Sequence, residues 1–421
     1  MSKKTVLIIG AGILQISLIQ EAKAMGLYVI VTDGNPRAPG FAHAYEHYVI
    51  DTYDIEGHRA LVRELQRWES MTQIHLAGVC TSGADVAPTV AAAAEVAGTP
   101  GIPYAVAQRT HNKAEVRYTL TMAGLDHYQP RYASLYREEW QERPDLQQFC
   151  RESASWMYPY PCIIKPVSQR ASRGVSRILQ PSDEANAVAK AFAYGDPIIL
   201  EECLIGTEHS AEILLDSHGR CQHFHVCDRF FSYDDGLAIE LGHSNPSSLD
   251  TEKQQRIAAV LLASAYALDV TIGPFKADIM WTDDGPKILE CTARCSGGWD
   301  SQWTYPQSSG DNLLRRILQV ACGLPVDPQP LAPDPQRYVA CAAIIPKQTG
   351  RITQLPELTP HWQGNTRCRL IWHVQPGDML APLQHNGQRA GFLCLEETSY
   401  ARAWEQAVLM ATQLAHEIQV T

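Results

Sequence analysis

The sequence lacks any long apolar segment. None of its apolar runs reaches the roughly 18 residues that a helix needs to cross a bilayer. The alanine-rich stretch VAPTVAAAAEVA is interrupted by Pro88 and Glu95. We therefore expect no membrane-spanning helix and no membrane partner.

The sequence is also short of positive charge. Its 421 residues contain 35 Lys and Arg against 46 Asp and Glu, which gives a formal net charge of -11. Binding to nucleic acid needs clustered cations that neutralise phosphates, so we expect no nucleic-acid partner. Hydrophobic residues at 45% and charged residues at 19% are typical of a globular chain, which excludes a disordered protein or a coiled coil.

Closely spaced cysteines are missing as well. The twelve cysteines include no C-x-x-C pair, and Cys291 and Cys295 have the closest spacing. This distribution favours free core thiols in a cytoplasmic enzyme over a disulfide framework or a zinc site. Lys3 and Lys4 before an apolar run resemble a signal peptide, but the two glycines within that run favour a strand, a turn and a helix.

The first hundred residues alternate between strand and helix patterns. The segments KTVLIIG, LYVIVTD, YVIDT and HLAGVCTS read as strands, and helical segments such as ILQISLIQEAKAMG and HRALVRELQRW lie between them. Such alternation with short connections predicts a doubly wound parallel sheet of the α/β class. The segment GTPGIP ends this pattern, so we place a domain boundary shortly after it.

The remaining segments contain more strands than helices. CIIKP and SRGVSRIL predict a strand, a turn and a second strand, and hairpin turns are expected at Gly206 and Gly219. KADIMW and KILECTAR predict a hairpin with Asp283, Asp284 and Gly285 at its turn. The proline-rich VDPQPLAPDPQ reads as a linker before a final mixed segment.

A glycine-containing turn near the N-terminus has two interpretations. Gly10-Ala11-Gly12 follows a strand and opens a helix, and Asp33 ends the next strand, as in dinucleotide-binding sheets. Gln15 stands where the third glycine is expected. The pattern therefore leaves open a nicotinamide site or an ordinary tight turn.

The central third carries residues suited to polyphosphate chemistry. Lys165 ends an apolar strand, and the small and basic residues from Ser168 to Val175 follow it. A fixed cation neutralises charge, and a flexible glycine-containing loop presents backbone N–H groups. Asp278 and Glu290 face each other across the predicted hairpin, and paired carboxylates suit magnesium that bridges phosphates.

This order of features resembles the ATP-grasp superfamily, in particular the branch similar to carbamoyl phosphate synthase, biotin carboxylase and bacterial L-amino acid ligases. The resemblance covers nearly the whole chain. It implies a pre-ATP-grasp domain (1–111), a split α+β ATP-grasp domain (112–330) with a flexible small lobe at about 160–205, and a small biotin-carboxylase-like α+β C-terminal domain (331–421).

The resemblance also implies roles for individual residues. Two lysines, a phosphate flap and a strand end that contacts adenine and ribose would bind ATP: Lys113, Lys165, Ser172, Arg173, Gly174, Val175, Glu201, Glu202, Cys203, Leu204 and Glu208. Two Mg²⁺ ions, with Mn²⁺ as an alternative, would be held by Asp278, Glu290 and Thr292. The sequence departs from the family at two of these positions, since Asp278 is usually Glu and Thr292 is usually Asn.

The acceptor side of the site is expected in two segments. Glu240 is a candidate partner for a substrate ammonium, and His243 for a carboxylate, an acyl phosphate or the proton of the amine. Arg294 would face the acyl phosphate, so it joins Glu240 and His243 as a predicted catalytic residue. The backbone of Gly297 and Gly298 would bind a substrate oxygen.

Several side chains near these segments have open interpretations. Trp299, together with Trp303 and Tyr305, is either a pocket wall that contacts substrate or core packing. His223, His225, Arg229 and Tyr233 are further candidates to face the site.

The reaction implied by the resemblance is an ATP-dependent carboxylate–amine ligation. An acyl phosphate forms, an amine displaces phosphate, and ADP and phosphate leave, with amino acids as the expected carboxylate and amine substrates. A bicarbonate-activating carboxylase, a nicotinamide-dependent oxidoreductase and a non-catalytic nucleotide-binding module remain alternatives. The resemblance also leaves open the formation of a homodimer, because dimers are common among the relatives.

Overall fold

The computed structural model describes residues 3–69, 74–154, 160–169, 172–233, 239–326, 337–358 and 367–421. The first segment forms a four-stranded parallel sheet of order β3-β2-β1-β4 with helices on both faces. Its elements are β1 (Lys3–Ile9), α1 (Gln15–Ala24), β2 (Tyr28–Asp33), β3 (Glu46–Val49), α2 (Ile55–Glu69), β4 (Ile74–Cys80), α3 (Ala87–Ala97) and α4 (Tyr104–His111).

The parallel sheet is apolar on both faces, which explains the near-continuous apolar runs in its strands. Leu7 and Ile9 pack towards α2 and α3, whereas Val6 and Ile8 pack towards α1. The predicted doubly wound sheet is confirmed. Its third strand begins at Glu46, two residues before the segment YVIDT.

A second, antiparallel sheet of order β5-β8-β6-β7 forms a small lobe. Its apolar face packs against two helices, α7 and α8. The elements of this region are α5 (Lys113–Met122), β5 (Tyr132–Leu135), α6 (Arg137–Glu142), α7 (Leu146–Ala154), β6 (Cys162–Pro166), β7 (Ser176–Ile178), α8 (Glu184–Phe192) and β8 (Ile198–Glu202). The predicted β6–β7 strand pair is confirmed.

The largest sheet has eight strands in the order β13-β12-β9-β10-β11-β14-β18-β16. The elements of this region of the chain are β9 (Thr207–Leu215), β10 (Cys221–Ser232), β11 (Ile239–Asn245), α9 (Thr251–Ala267), β12 (Gly273–Thr282), β13 (Gly285–Thr292), α10 (Tyr305–Ser309) and α11 (Leu313–Ala321). The register pairs Thr282 with Gly285, so the predicted β12–β13 hairpin is confirmed. The predicted hairpin at Gly219 is also confirmed, since β9 pairs with β10.

The hairpin expected at Gly206 is wrong. Gly206 lies where the chain leaves β8 of the small sheet and enters β9 of the large sheet. A Cβ atom at Gly206 would lie 2.1 Å from the Trp281 carbonyl oxygen. The glycine therefore permits a close crossing between two sheets rather than a turn within one.

The C-terminal segment extends the large sheet, because β14 pairs with β11. Helix α12 covers β14 and β18. The remaining elements are β14 (Tyr338–Ile344), β15 (Gly350–Gln354), β16 (Cys368–Trp372), β17 (Met379–Leu380), β18 (Gly391–Glu397), α12 (Tyr400–Glu417) and β19 (Gln419–Val420). The boundary expected at residue 330 lies outside the described residues, and the division at 111, 330 and 421 stays a prediction.

Two sequence-based exclusions can be compared with the structure. None of the helices in the described ranges combines the length and the apolar character needed to cross a membrane. All twelve cysteines are free thiols, and ten of them are buried. The cysteines therefore contribute to packing in the cores.

A substitution at Gly242 tests whether the pairing of β11 with β14 depends on the close approach of their backbones. Its φ is +149°, and a Cβ atom there would lie 2.0 Å from the Cys341 carbonyl oxygen. We expect Gly242→Ala to lower the free energy of unfolding by more than about 2 kcal/mol, because backbone must move. Gly26→Ala is the control, since its φ is +77° but nothing lies within 4 Å. The control should lose about 1 kcal/mol in urea denaturation; equal losses would contradict the close-approach explanation.

Candidate active site

A cleft of about 590 Å³ lies between the small sheet and the large sheet. It is large enough for a cofactor-sized molecule. Most of the residues singled out in the sequence line this one cleft: Lys113, Lys165, Ser172, Val175, Glu201, Glu202, Cys203, Leu204, Glu208, Glu240, His243, Asp278, Glu290, Thr292, Arg294, Gly297 and Gly298. Arg173, Gly174 and Trp299 are not among the lining residues. The fold thus gathers residues from six strands, from helix α5 and from the loops after β6, β8 and β13.

A buried ion cluster joins the two sides of the cleft. Glu201 of β8 accepts from Lys165 Nζ at 2.7 Å and from Arg117 Nε at 2.9 Å. Both cations also donate to the Leu289 carbonyl oxygen of β13, at 3.3 Å from Lys165 and 2.5 Å from Arg117. The cluster therefore connects the small sheet, helix α5 and the large sheet.

Two cations share one carboxylate in this cluster, so it keeps an excess of positive charge. Burial lowers the pKa of Lys165, and Glu201 offsets this only in part. Burial alone would raise the pKa of Glu201, but Arg117 and Lys165 hold it below its ordinary value. The excess charge beside the cleft suits an anionic ligand such as a phosphate.

The β12–β13 hairpin presents the predicted metal ligands. Asp278 and Glu290 are direct partners in the register, and Thr292 pairs with Lys276. Asp278 binds Arg229 at 2.8 Å and Lys276 at 2.5 Å, and these cations bring its pKa far below the ordinary range despite burial. Glu290 binds Lys113 at 3.0 Å, and its side chain is 43% exposed. Of the two carboxylates, Glu290 is the more accessible from the cleft.

Glu240 and two arginines form a second charged group. Glu240 lies 3.0 Å from Arg229 Nε and 3.3 Å from Arg389 Nη1. Burial would raise the pKa of Glu240, but the two guanidinium groups lower it from 4.5 to about 2. Arg229 links this group to Asp278. The predicted ammonium partner is thus an ionised carboxylate with two cationic neighbours.

Three further predicted residues have defined partners. His243 Nε2 lies 2.9 Å from Thr304 Oγ1, and burial lowers the pKa of its imidazole. Arg294 donates to Asp85 at 2.5 Å and to the Cys295 carbonyl oxygen at 2.9 Å. At the opposite rim, Glu202 accepts from Arg131 at 3.1 Å.

Glu208 of β9 also lines the cleft. It accepts a short hydrogen bond from Tyr233. Burial raises the pKa of Glu208, although the nearby Arg229 opposes the shift. Its predicted ribose contact stays a prediction.

Gly297 approaches the segment after β4 closely, whereas Gly298 has open space around it. A Cβ atom at Gly297 would lie 3.0 Å from the Gly83 carbonyl oxygen, and Gly298 has a φ of +63°. Trp299 follows with a φ of +77°, and its side chain is fully buried against Cys341, Phe392 and neighbours. The pocket-wall interpretation therefore does not describe the Trp299 indole, which packs in the core behind the cleft.

The predicted flap is described on both sides of residues 170–171. Lys113 Nζ donates to the Gln169 carbonyl oxygen at 2.7 Å. Ser172 Oγ accepts from Asn386 Nδ2 at 3.2 Å, and the Asn386 side-chain oxygen accepts from Glu240 N at 2.9 Å. Asn386 thus connects the flap to β11.

The Gly10–Gly12 turn offers little to a nicotinamide cofactor. Ala11 N donates to Asp33 Oδ2 at 2.8 Å, so the acidic residue expected at a ribose closes the turn instead. A Cβ atom at Gly40 would lie 2.7 Å from the Ala11 carbonyl oxygen, which shows that another segment covers the turn. The arrangement matches the ordinary tight turn.

Sequence reasoning missed several polar and charged residues in or beside the cleft. Arg117 lies four positions after Lys113 on α5, so helical spacing places both on one face. Lys276 lies two residues before Asp278 on β12, so the period of a strand places both side chains on the same face. Arg389 and Asn386 come from the distant C-terminal segment, where no local pattern indicates a role.

Part of the chain matches a known domain family. The ATP-grasp domain family matches residues 158–302. A D-alanine–D-alanine ligase of Bacillus velezensis is 26% identical over 182 residues, which cover 42% of this chain and 50% of the ligase. One from Geobacillus thermodenitrificans is 26% identical over 50% of this chain and 58% of its own length. The chain thus spans about half the length of these curated relatives.

Solved structures resemble the chain over its whole length. An L-amino acid ligase from Bacillus licheniformis matches with a TM-score of 0.78 and 22% identity, covering 100% of both chains. The biotin carboxylase domain of a Hydrogenobacter thermophilus 2-oxoglutarate carboxylase matches with a TM-score of 0.71 and 15% identity, over 100% of this chain and 90% of that one. At these identities the matches establish the fold.

The low pKa of Glu240 predicts a pH-dependent contribution to stability. A carboxyl whose folded pKa is about 2 and whose ordinary value is 4.5 stabilises the fold fully above the ordinary value, and this stabilisation is lost as pH falls towards 2. Glu240→Gln should therefore lower the free energy of unfolding by about 3 kcal/mol at pH 7, because two buried guanidinium groups lose their partner. Guanidinium denaturation should show a smaller difference at pH 3; an unchanged difference would contradict the ion pairing.

Proposed function

We propose that this chain, which carries an ATP-grasp domain, is an ATP-dependent ligase that joins a carboxylate to an amine through an acyl phosphate. Amino acids are the proposed substrates, and ADP and phosphate are the proposed by-products. The observation that supports this most is one cleft in which Lys113 and Lys165 lie opposite Asp278, Glu290 and Arg294. Phosphoryl transfer between bound substrates relies on cations and metal-binding carboxylates held together around the phosphates.

The nucleotide would lie at the small-sheet end of the cleft. Lys113 and Lys165 are candidates to neutralise its phosphates, since Lys165 belongs to the cluster with excess positive charge. The backbone of Cys203 and Leu204, directly after β8, is available to an adenine ring at the cleft wall. The turn at Ser172 and Gly174 would cover the phosphates and exclude water from the acyl phosphate.

The residues of the hairpin fit Mg²⁺ by their chemistry. Asp278, Glu290 and Thr292 offer only oxygen donors on neighbouring strands, and Glu290 is partly exposed. When bound, the ion supplies positive charge to the phosphate oxygens. Lys113, Lys276 and Arg229 balance the carboxylates from the protein side.

The carboxylate substrate would bind beyond the hairpin. Its oxygen attacks the γ-phosphorus, the bond from that phosphorus to the bridging oxygen breaks, and ADP leaves. Arg294 and the backbone N–H groups of Gly297 and Gly298 would stabilise the acyl phosphate. The amine then displaces phosphate, and the neutral imidazole of His243 is the candidate acceptor for the amine proton.

The first test is a screen of amino-acid pairs for ADP release, with product mass measured by mass spectrometry. We expect release that depends on one amino acid, and an amide product when a second is present. Bicarbonate-dependent release without any amino acid would instead support the carboxylating alternative and overturn the proposal.

The substitution Glu290→Gln tests the proposed binding of Mg²⁺ by the β12–β13 hairpin. Loss of one anionic oxygen ligand should lower kcat/KM for ATP by at least about 100-fold while the fold remains intact. The matched control is Glu115→Gln, an exposed carboxylate on α5, which should retain wild-type activity. Unchanged turnover in Glu290→Gln would remove the metal assignment.

The substitution Lys165→Met tests the proposed contact between Lys165 and the phosphates of ATP. Arg117 still pairs with Glu201 in this variant, so the fold should persist. We expect the KM for ATP to rise at least about tenfold, because a buried cation next to the phosphates is lost. Lys253→Met, which removes an exposed lysine of α9 paired with Asp250, is the control. An unaltered KM for ATP in Lys165→Met would contradict the phosphate contact.

A further inference from the structure

Three buried side chains beyond the hairpin converge on one point. Glu212 of β9, His225 of β10 and Asp300 each offer one ligand atom, and these atoms lie within 4.8 Å of one another. Glu212 is 0% exposed, Asp300 3% and His225 6%. Burying two carboxylates together is costly unless a cation compensates them.

One oxygen of each carboxylate is held by hydrogen bonds from residues outside the cluster. Glu212 Oε2 accepts from Ser296 N and from Ser301 Oγ, both at 2.8 Å. Glu212 Oε1 is buried and has no hydrogen-bond partner among the described residues. Asp300 Oδ1 accepts from Asn245 Nδ2 at 2.8 Å, which leaves Oδ2 facing His225 at 3.3 Å. The protein thus holds both groups with one oxygen turned inward.

The imidazole of His225 is oriented from its other side. His225 Nδ1 lies 2.8 Å from His223 Nε2, and His223 Nδ1 lies 3.3 Å from Asp311 Oδ2. With the His223 proton on Nδ1 towards Asp311, Nε2 accepts from His225. His225 Nε2 then points at the carboxylates, as in metal sites whose histidine donates its second N–H to an outer partner.

We propose that Glu212, His225 and Asp300 bind a divalent transition-metal ion of the zinc type, at a site separate from the hairpin carboxylates. One nitrogen and two oxygen donors favour Zn²⁺, Co²⁺ or Mn²⁺ over Mg²⁺, which prefers oxygen alone. The Cys227 thiol, 3.5 Å from Asp300 Oδ2, is a further donor at the edge of the site.

The site has an entry path and a structural consequence. Asp300 and Cys227 line the cleft, so an ion can reach the cluster from solvent. Bound there, the ion would tie β9, β10 and the π-helical turn at Asp300–Thr304 together. His243 contacts Thr304 of the same turn. The ion would therefore hold the Asp300–Thr304 turn in place, and with it the position of His243 on the acceptor side of the cleft.

The test uses the full chain after treatment with a chelator. We expect one Co²⁺ per chain by equilibrium dialysis in excess Mg²⁺, with visible d–d absorption, and displacement by Zn²⁺. Zn²⁺ should also raise the melting temperature, because it binds only the folded state. A wild-type chain that binds neither ion in excess Mg²⁺ would overturn the proposal and leave the cluster as an internal hydrogen-bond network.

Variants separate this site from the hairpin. Glu212→Gln should weaken Co²⁺ binding at least about 100-fold, and Asp311→Asn, which reaches the site through His223, about 10- to 100-fold. His209→Gln, in the buried His209–Asp228 pair, and Glu290→Gln should bind Co²⁺ as the wild type does. Circular dichroism confirms folding of each variant. Wild-type affinity in Glu212→Gln, or loss of binding in Glu290→Gln, would contradict the assignment.

Discussion

The architecture of the cleft depends on Glu201 lying between Arg117 and Lys165. The carboxylate belongs to the small sheet, Arg117 to the helix before it, and both cations reach the Leu289 carbonyl of the large sheet. Because all of these groups are buried, removing the carboxylate would leave two buried cations without their shared anion. The same contact fixes the lysine that the proposed nucleotide needs. Structural and functional constraints therefore meet at one side chain.

The rest of the cleft repeats this pattern of ionised groups that hold each other in place. Arg229 binds both Asp278 and Glu240, and Arg389 of the C-terminal segment binds Glu240 as well. These pairs keep the carboxylates ionised in a buried setting, since their pKa values are lowered. A preorganised set of charges costs little reorganisation when phosphate charge develops nearby. The C-terminal segment thus completes the cleft instead of standing apart from it.

Much of this arrangement was open to prediction because it follows from local periodicity. The parallel sheet, the β12–β13 hairpin and the pairing of Asp278 with Glu290 come from strand alternation and turn chemistry. Contacts between segments that lie far apart in the sequence could not be predicted from it. Nothing local indicates that Asn386 reaches Ser172, and the aromatic spacing around Trp299 fits a pocket as well as a core. Gly206 misled because a glycine between strands indicates a close approach without showing which sheet follows.

The central claim is that an adenine nucleotide binds between the two sheets. A crystal structure of the full chain with Mg²⁺ and a non-hydrolysable ATP analogue tests it most directly. We expect the phosphates to lie between Lys165 and Glu290, with the adenine against Cys203 and Leu204. A nucleotide seated at the Gly10–Gly12 turn, or crystals without nucleotide at saturating concentration, would contradict it.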